Sequence, residues 1–231
     1  MKRFWHEVTS TDGVVQLDGR PVWTPGRALL ALPRPALASA IADEWRAVEQ
    51  EVDPRAMPLT GLANAAIDRV VPDAAAFAAT LARYGETDLV CYRAEEPPEL
   101  VMAQLAGWDG IVTWARQRYD VALVVTAGIV HVAQPSETIF RLQAVLTALD
   151  PFRLAALHPL VTIGASLLIA LAVLEGELSG EEGFAAAQLD ELWQAEQWGE
   201  DPWAIEAREA RRRDWDAGVH MLQLLGASSS P

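Results

Sequence analysis

From Leu154 to Leu174 the chain runs 21 residues without an Asp, Glu, Lys or Arg, between Arg153 and Glu175. As a helix rising ~1.5 Å per residue, such a stretch is long enough to cross the ~30 Å core of a bilayer, so it enters a membrane or it forms the centre of a fold. His158 and Pro159 interrupt its first turns, and neither a Lys/Arg cluster nor a Trp/Tyr belt flanks it. Gly164, Ala165 and Ser166 offer small surfaces for close helix packing. We read the segment as one buried central helix and expect no stable membrane insertion. A membrane-associated protein using 154–174 stands as a competing reading.

A chain of 231 residues, 51% of them hydrophobic, can bury a substantial core as one large domain or two small ones. Thirty-two acidic against 18 basic residues leave a formal charge of -14, which disfavours nucleic-acid phosphates and anionic membranes. We expect no nucleic-acid partner. A single cysteine, Cys91 in DLVCY, excludes an internal disulfide framework and reads as a buried thiol. The N-terminal MKRFWHEV lacks the apolar run and cleavage site of a secretory signal, so the expected location is cytoplasmic.

The fold class that follows is α+β. FWHEV, VVQL, RPVWT and ALLAL read as short antiparallel strands, with turns at Asp12-Gly13 and Asp18-Gly19. A helix opens at Pro35 with Leu37, Ile41, Trp45 and Val48 on one face. Thr60 is placed as the cap of the next helix, which ends before Pro72, and Asp73 as the cap of the one running to Tyr84 and Gly85. DLVCYRA fits a strand or a helical turn. EEPPE is a break, and it divides the chain into an N-terminal α+β domain over 1–96 and a mainly helical C-terminal domain over 97–231. ELVMAQLAGW and IVTWARQRY read as helix, VALVVTAGIVHV as a hairpin turning near Ala127-Gly128, and the stretch after Pro135 as helix. Beyond the uncharged segment come a helix from Glu181 through Trp198 and a last one from Pro202 toward Leu225, whose Arg208, Arg211, Arg212 and Arg213 should pair with neighbouring acids or face water. The terminal SSSP is expected to fray.

Reactive constellations are scarce. There is no nucleophile elbow, His6, His131, His158 and His220 are scattered singly, and His158 reads as a capping or core group. No spacing of His, Cys or acids suits a metal, and no glycine-rich loop suits a nucleotide; the expected cofactor and metal are none. What stands out is LDELWQAEQWGED, Leu189 to Asp201. At about 100° per residue, Leu189, Leu192 and Trp193 form an apolar stripe fit to dock on a core, while Glu191, Gln194 and Trp198 line the opposite side. Trp198 either packs beneath a neighbouring helix or meets a partner. Asp190, Glu191, Glu196, Glu200 and Asp201 form an acidic cluster beside aromatics, but Glu191 and Glu196 diverge on one straight helix. Glu196 falls at the angle of the apolar stripe, where we expect an ion pair or a reach round to solvent.

Blocks in order along nearly the whole chain carry a resemblance: KRFW (2–5), LDGRPVWTP (17–25), DEW (43–45), MPLTGLANAAIDRV (57–70), TDLVCYRAEEP (87–97) and LDELWQAEQWGED (189–201). The chain resembles the ATP synthase assembly chaperones that act on the alpha subunit of the F-type catalytic sector, assembly factor twelve, in a bacterial form. The resemblance departs in the first strands, where the family usually has a longer Gly-rich turn. It implies a small β-containing N-terminal part, a helical C-terminal part, no enzymatic activity, and the alpha subunit as partner, shielded until the beta subunit covers it. It also implies a functional role for Glu191. A holding chaperone needs an exposed patch able to cover apolar surface without self-association, and an aromatic anchor beside polar groups meets that need. The expected partner-binding set is Glu191, Gln194 and Trp198, with Asp190 and Glu196 beside them. A small acidic enzyme using the carboxylate cluster is the alternative.

Overall fold

β1 (Val8–Thr11), β2 (Val14–Leu17) and β3 (Arg20–Pro21) open the chain as an antiparallel meander in that order, with Val8 opposite Leu17 and Thr11 opposite Val14. Both turns fall on the Asp-Gly pairs: Asp12 and Gly13 have φ of 50° and 77°, Asp18 and Gly19 of 49° and 75°. Positive φ at both central residues is what a type I′ hairpin turn requires. The outer predicted strands are shorter than expected. Of FWHEV only Val8 is in a strand, and ALLAL joins through single bridges, Ala31 to Val14 and Leu29 to Trp23. The computed structural model describes residues 1–226, so the expected fraying of SSSP lies outside the described residues.

α1 (Pro35–Ala47) buries Leu37, Ile41 and Trp45, with Val48 buried just past its end. α2 (Pro58–Ala65) starts two residues ahead of Thr60, so Thr60 is not its cap. Glu44 of α1 does that work from outside: its carboxylate accepts from the Leu59 and Thr60 amides at 2.8 Å and from the Thr60 hydroxyl at 2.6 Å. α3 (Ala74–Ala82) follows, and here Asp73 does cap, accepting from the Ala76 amide at 3.0 Å. DLVCYRA is both of its predicted alternatives in succession, a 3₁₀ turn over Leu89–Cys91 and then β4 (Tyr92–Arg93).

α4 (Pro98–Tyr119) unites the two predicted helical stretches. The hairpin expected in VALVVTAGIVHV does not form. β5 (Thr126–Ala127) instead pairs in parallel with β4, Tyr92 opposite Thr126, and the Gly128 amide donates to the Arg93 carbonyl. Gln134 closes the loop by bonding both the amide and the carbonyl of Val124, at 2.9 and 2.8 Å, which leaves these valines no local strand to pair with. α5 (Ser136–Thr147) then begins where Pro135 and Ser136 place it.

The uncharged segment is buried, but it is two helices rather than one: α6 (Pro151–Gly164) and α7 (Leu167–Glu175). Ala165 between them is left-handed, φ 47°, and Ser166 caps α7 through the Ile169 amide. The break is held by a distant acid. Asp88, wholly buried, accepts from the Ser166 hydroxyl at 2.6 Å and from the Leu168 amide at 3.0 Å, while the Leu89 amide donates to the Ala165 carbonyl. Burial pushes the Asp88 carboxyl up to about 6 against these hydrogen bonds, which pull it down. His158 is neither cap nor core: it is exposed beside the Phe77 ring, and Asp150 caps α6. Among the described residues no helix is long and apolar enough to cross a membrane.

The expected helix from Glu181 through Trp198 is likewise two, α8 (Gly180–Ala187) and α9 (Leu189–Trp198), parted at Gln188. α10 (Pro202–Leu225) is where it is predicted to be, with Asp201 accepting from the Ala204 amide at 2.9 Å. Two apolar clusters result. One gathers Trp5, Val15, Leu30, Ile41 and Trp45 under the sheet and also takes in Ala156, Met221 and Leu225. The other surrounds α6 and α7 with Trp108, Leu142, Leu146, Phe184 and Trp215, and includes Val90 and the buried Cys91. α6 and α10 serve both. They approach so closely at Gly218 that a Cβ there would lie 2.6 Å from the Ala156 carbonyl oxygen. A small sheet followed by a helical body is the α+β class expected from the sequence.

Candidate functional site

No residue of α9 is buried, although it carries Leu189, Leu192, Trp193 and Trp198. Leu189 anchors it against the larger cluster, at a place on α4 where Gly107 leaves room: a Cβ there would come 2.6 Å from the Leu189 Cδ1. All three residues of the expected stripe, Leu189, Leu192 and Trp193, are half-buried, and Leu189 is the one packed on the larger cluster. The expectation of two separate faces also fails. Trp193 and Trp198 meet edge to face with ring centroids 5.9 Å apart, and Trp198 is 75% exposed rather than packed beneath a helix.

The polar side chains are sorted differently from one another. Asp190 accepts from Gln104 Nε2 at 2.8 Å, and Gln104 is a buried junction: its side-chain oxygen accepts from the Ala94 amide and its carbonyl from Arg93, both at 2.8 Å. Arg93 in turn lies over the Trp108 ring and 2.9 Å from Asp109. Glu191 accepts from Arg211 Nη2 at 2.6 and 2.7 Å, with Arg208 Nη1 at 3.9 Å. Gln194 and Glu196 are exposed, and among the described residues no hydrogen bond or ion pair holds Glu196, which settles its predicted pairing in favour of solvent. Glu200 binds Arg208 and is held below the usual carboxylate range by that hydrogen bond; Asp201 is spent as the cap of α10.

The five acids therefore do not converge. Only Glu191 and Glu200 share a neighbour, Arg208, and among the described residues no group of three His, Cys, Asp or Glu is placed to hold a metal ion. Asp190 and Gln194 instead line one wall of an open groove of about 720 Å³, whose other walls include Tyr92, Arg93 and the fully exposed Ile129. At the other end of α9, Gly199 (φ 80°) turns the chain into α10, whose first turn carries Trp203 at 81% exposure. Trp198 and Trp203 thus flank one elbow.

Several of these residues escape a reading of the sequence. Arg208 and Arg211 look like members of a self-paired charged helix, whereas they reach across to α9. Ile129 looks like a strand residue. Trp203 had a usable signal: directly after Pro202, in a first turn, no preceding turn exists to cover it.

An exposed aromatic elbow and an open groove on a helical body are features of a binding protein, and among the described residues no three His, Cys, Asp or Glu gather beside them. The profile of the ATP12 chaperone protein family matches residues 2–116. The fold is similar to the crystal structure of Atp12 from Paracoccus denitrificans, at 42% identity and a TM-score of 0.91, covering 96% of this chain and 97% of that one. It is similar also to a candidate chaperone from Agrobacterium tumefaciens, at 40% identity and a TM-score of 0.92, covering 97% and 86%. Protein atp12, mitochondrial, of Schizosaccharomyces pombe is 27% identical over 214 residues, 86% of this chain and 74% of the relative. The chain belongs to the ATP12 chaperone family, the ATP synthase assembly chaperones that its sequence blocks resemble.

Proposed function

We propose that this protein binds the unassembled alpha subunit of the ATP synthase catalytic sector in the cytoplasm, covers surface that the beta subunit later takes, and releases it on assembly. It does so by binding alone, without a cofactor or a catalysed step. The partner-binding surface is the α9 side, with Asp190, Gln194, Glu196 and Trp198 toward the client, Trp203 across the elbow, and Glu191 supporting the helix from the α10 side. One observation carries this reading: two tryptophans at 75% and 81% exposure flank the single turn between α9, which has no fully buried residue, and α10. Large aromatics held rigidly in solvent supply anchor area at small conformational cost, and the acids around them, within a net charge of -14, favour a client surface that is apolar with basic side chains. The enzymatic alternative has little to work with among the described residues: the two carboxylates that approach each other, Glu191 and Glu200, are both engaged by Arg208.

Co-purification with the alpha subunit, using the beta subunit as control, tests the partner. A saturable complex with alpha and none with beta is expected; equal capture of both overturns the assignment. Replacing Trp198 and Trp203 together by alanine tests the surface. Loss of capture with an unchanged unfolding midpoint is expected, and undiminished capture places the client elsewhere.

A further inference from the structure

We infer that Glu191 is a positioning residue: with Arg208 and Arg211 of α10 it forms an ionic clamp that sets the angle at which α9 presents Gln194 and Trp198. This rests on the reading of α9 as the client-facing element. Burial alone sets that angle weakly, because α9 has half-buried residues but no fully buried one, and Leu189 is its contact with the larger core. Polar ties supply the rest: Gln104 of α4 holds Asp190 at 2.8 Å, and the other ties run to α10. Arg211 donates to both Glu191 oxygens and, at 3.1 Å, to the side-chain oxygen of Gln188, the residue at which α8 and α9 part. Arg208 binds Glu200, which follows the glycine ending α9, and keeps its Nη1 3.9 Å from Glu191. Arg208 and Arg211 are three apart, neighbours on one face of a helix.

Two arginines of one rigid helix therefore hold both ends of α9, and Glu191 is the carboxylate common to them. Its oxygens point at α10 rather than at the client's side. Partly exposed ion pairs contribute little to global stability. Reversing the charge at 191 sets a cation against two guanidinium groups while moving no core side chain. The helix swings and the fold stays.

Charge exchange separates this role from direct contact. Glu191→Arg and Arg211→Glu are each expected to weaken alpha-subunit capture about tenfold, and the double variant to return to within about threefold of the original, as coupled neighbours do in a double-mutant cycle. Amide hydrogen exchange over 189–198, measured without client, should speed up in each single variant and slow again in the double. A double variant that regains slow exchange but captures as poorly as Glu191→Arg overturns the clamp, because Glu191 then touches the client itself. Unchanged exchange in both single variants overturns it too. If Trp198→Ala with Trp203→Ala captures normally, the surface reading fails on its own account, whatever the charge exchange shows.

Discussion

α7 and α9 are nearly the same length and both carry large apolar side chains, yet six residues of α7 are buried and none of α9. α7 lies against α4, α6 and α8, so most of its side chains exchange water for protein neighbours. α9 packs on α4 through Leu189 and meets α10 through ion pairs. Leu189 packs on the larger cluster and Trp193 on Trp198, yet Leu192 and Trp193 stay half-buried and Trp198 exposed, so apolar surface on α9 remains open to solvent. The contrast teaches that side-chain type sets what a helix could bury, and the number of neighbours sets what it does bury.

Substitutions at the two sites should differ accordingly. Trp215 is the strongest case on the buried side: wholly enclosed against Phe184, it donates from Nε1 to the Gly180 carbonyl at 2.9 Å. Trp215→Ala is expected to cost about 3–5 kcal/mol in urea unfolding, the range for large aromatics in cores. A loss below about 1 kcal/mol would dissolve the contrast.

Next in size is a pH effect at the start of α7. The Asp88 carboxyl is raised from 3.8 to about 6, so the folded chain holds this proton more tightly than the unfolded chain. Its contribution is intact below the unfolded value and is lost as pH rises through about 6, a difference of about 3 kcal/mol. Asp88→Asn is expected to flatten this dependence between pH 4 and 7, read from unfolding free energies at several pH values. An unaltered slope would show that other groups produce it.

On the exposed side the effects shrink. Asp201→Ala removes the cap of α10 beside the elbow and should cost about 1 kcal/mol, with faster amide exchange in the first turn of α10. Trp198→Ala should change stability by less than about 0.5 kcal/mol while reducing capture of the alpha subunit, measured by size-exclusion chromatography. A large stability loss there would mean that α9 is a core helix after all.

Much of the fold is legible in the chain where a single residue acts on its own neighbours. Pro35, Asp73 and Pro202 mark helix starts because fixed φ or a side-chain acceptor satisfies a first turn locally. Thr60 shows the limit: the cap it was expected to supply comes from Glu44, and nothing within α2 announces that. The candidate site is legible only as a list. Asp190, Glu191, Gln194, Glu196 and Trp198 can be picked out as unusual, but the partners of Asp190 and Glu191 lie on other helices: Gln104 is 86 residues from Asp190, and Arg211 is 20 from Glu191.

By itself the sequence determined the hairpin turns at the Asp-Gly pairs, most helix starts, the burial of 154–174 and the family to which the chain belongs. These depend on backbone preferences and on transfer of apolar surface, which act within a few residues or on a segment as a whole. The tertiary structure alone decided that the buried segment breaks at Ala165 over Asp88, that Trp198 stands in solvent against Trp193, and that Glu191 answers to Arg211. Hydrogen bonds and ion pairs act over about 3 Å, so their partners are chosen only when distant stretches of chain have been brought together.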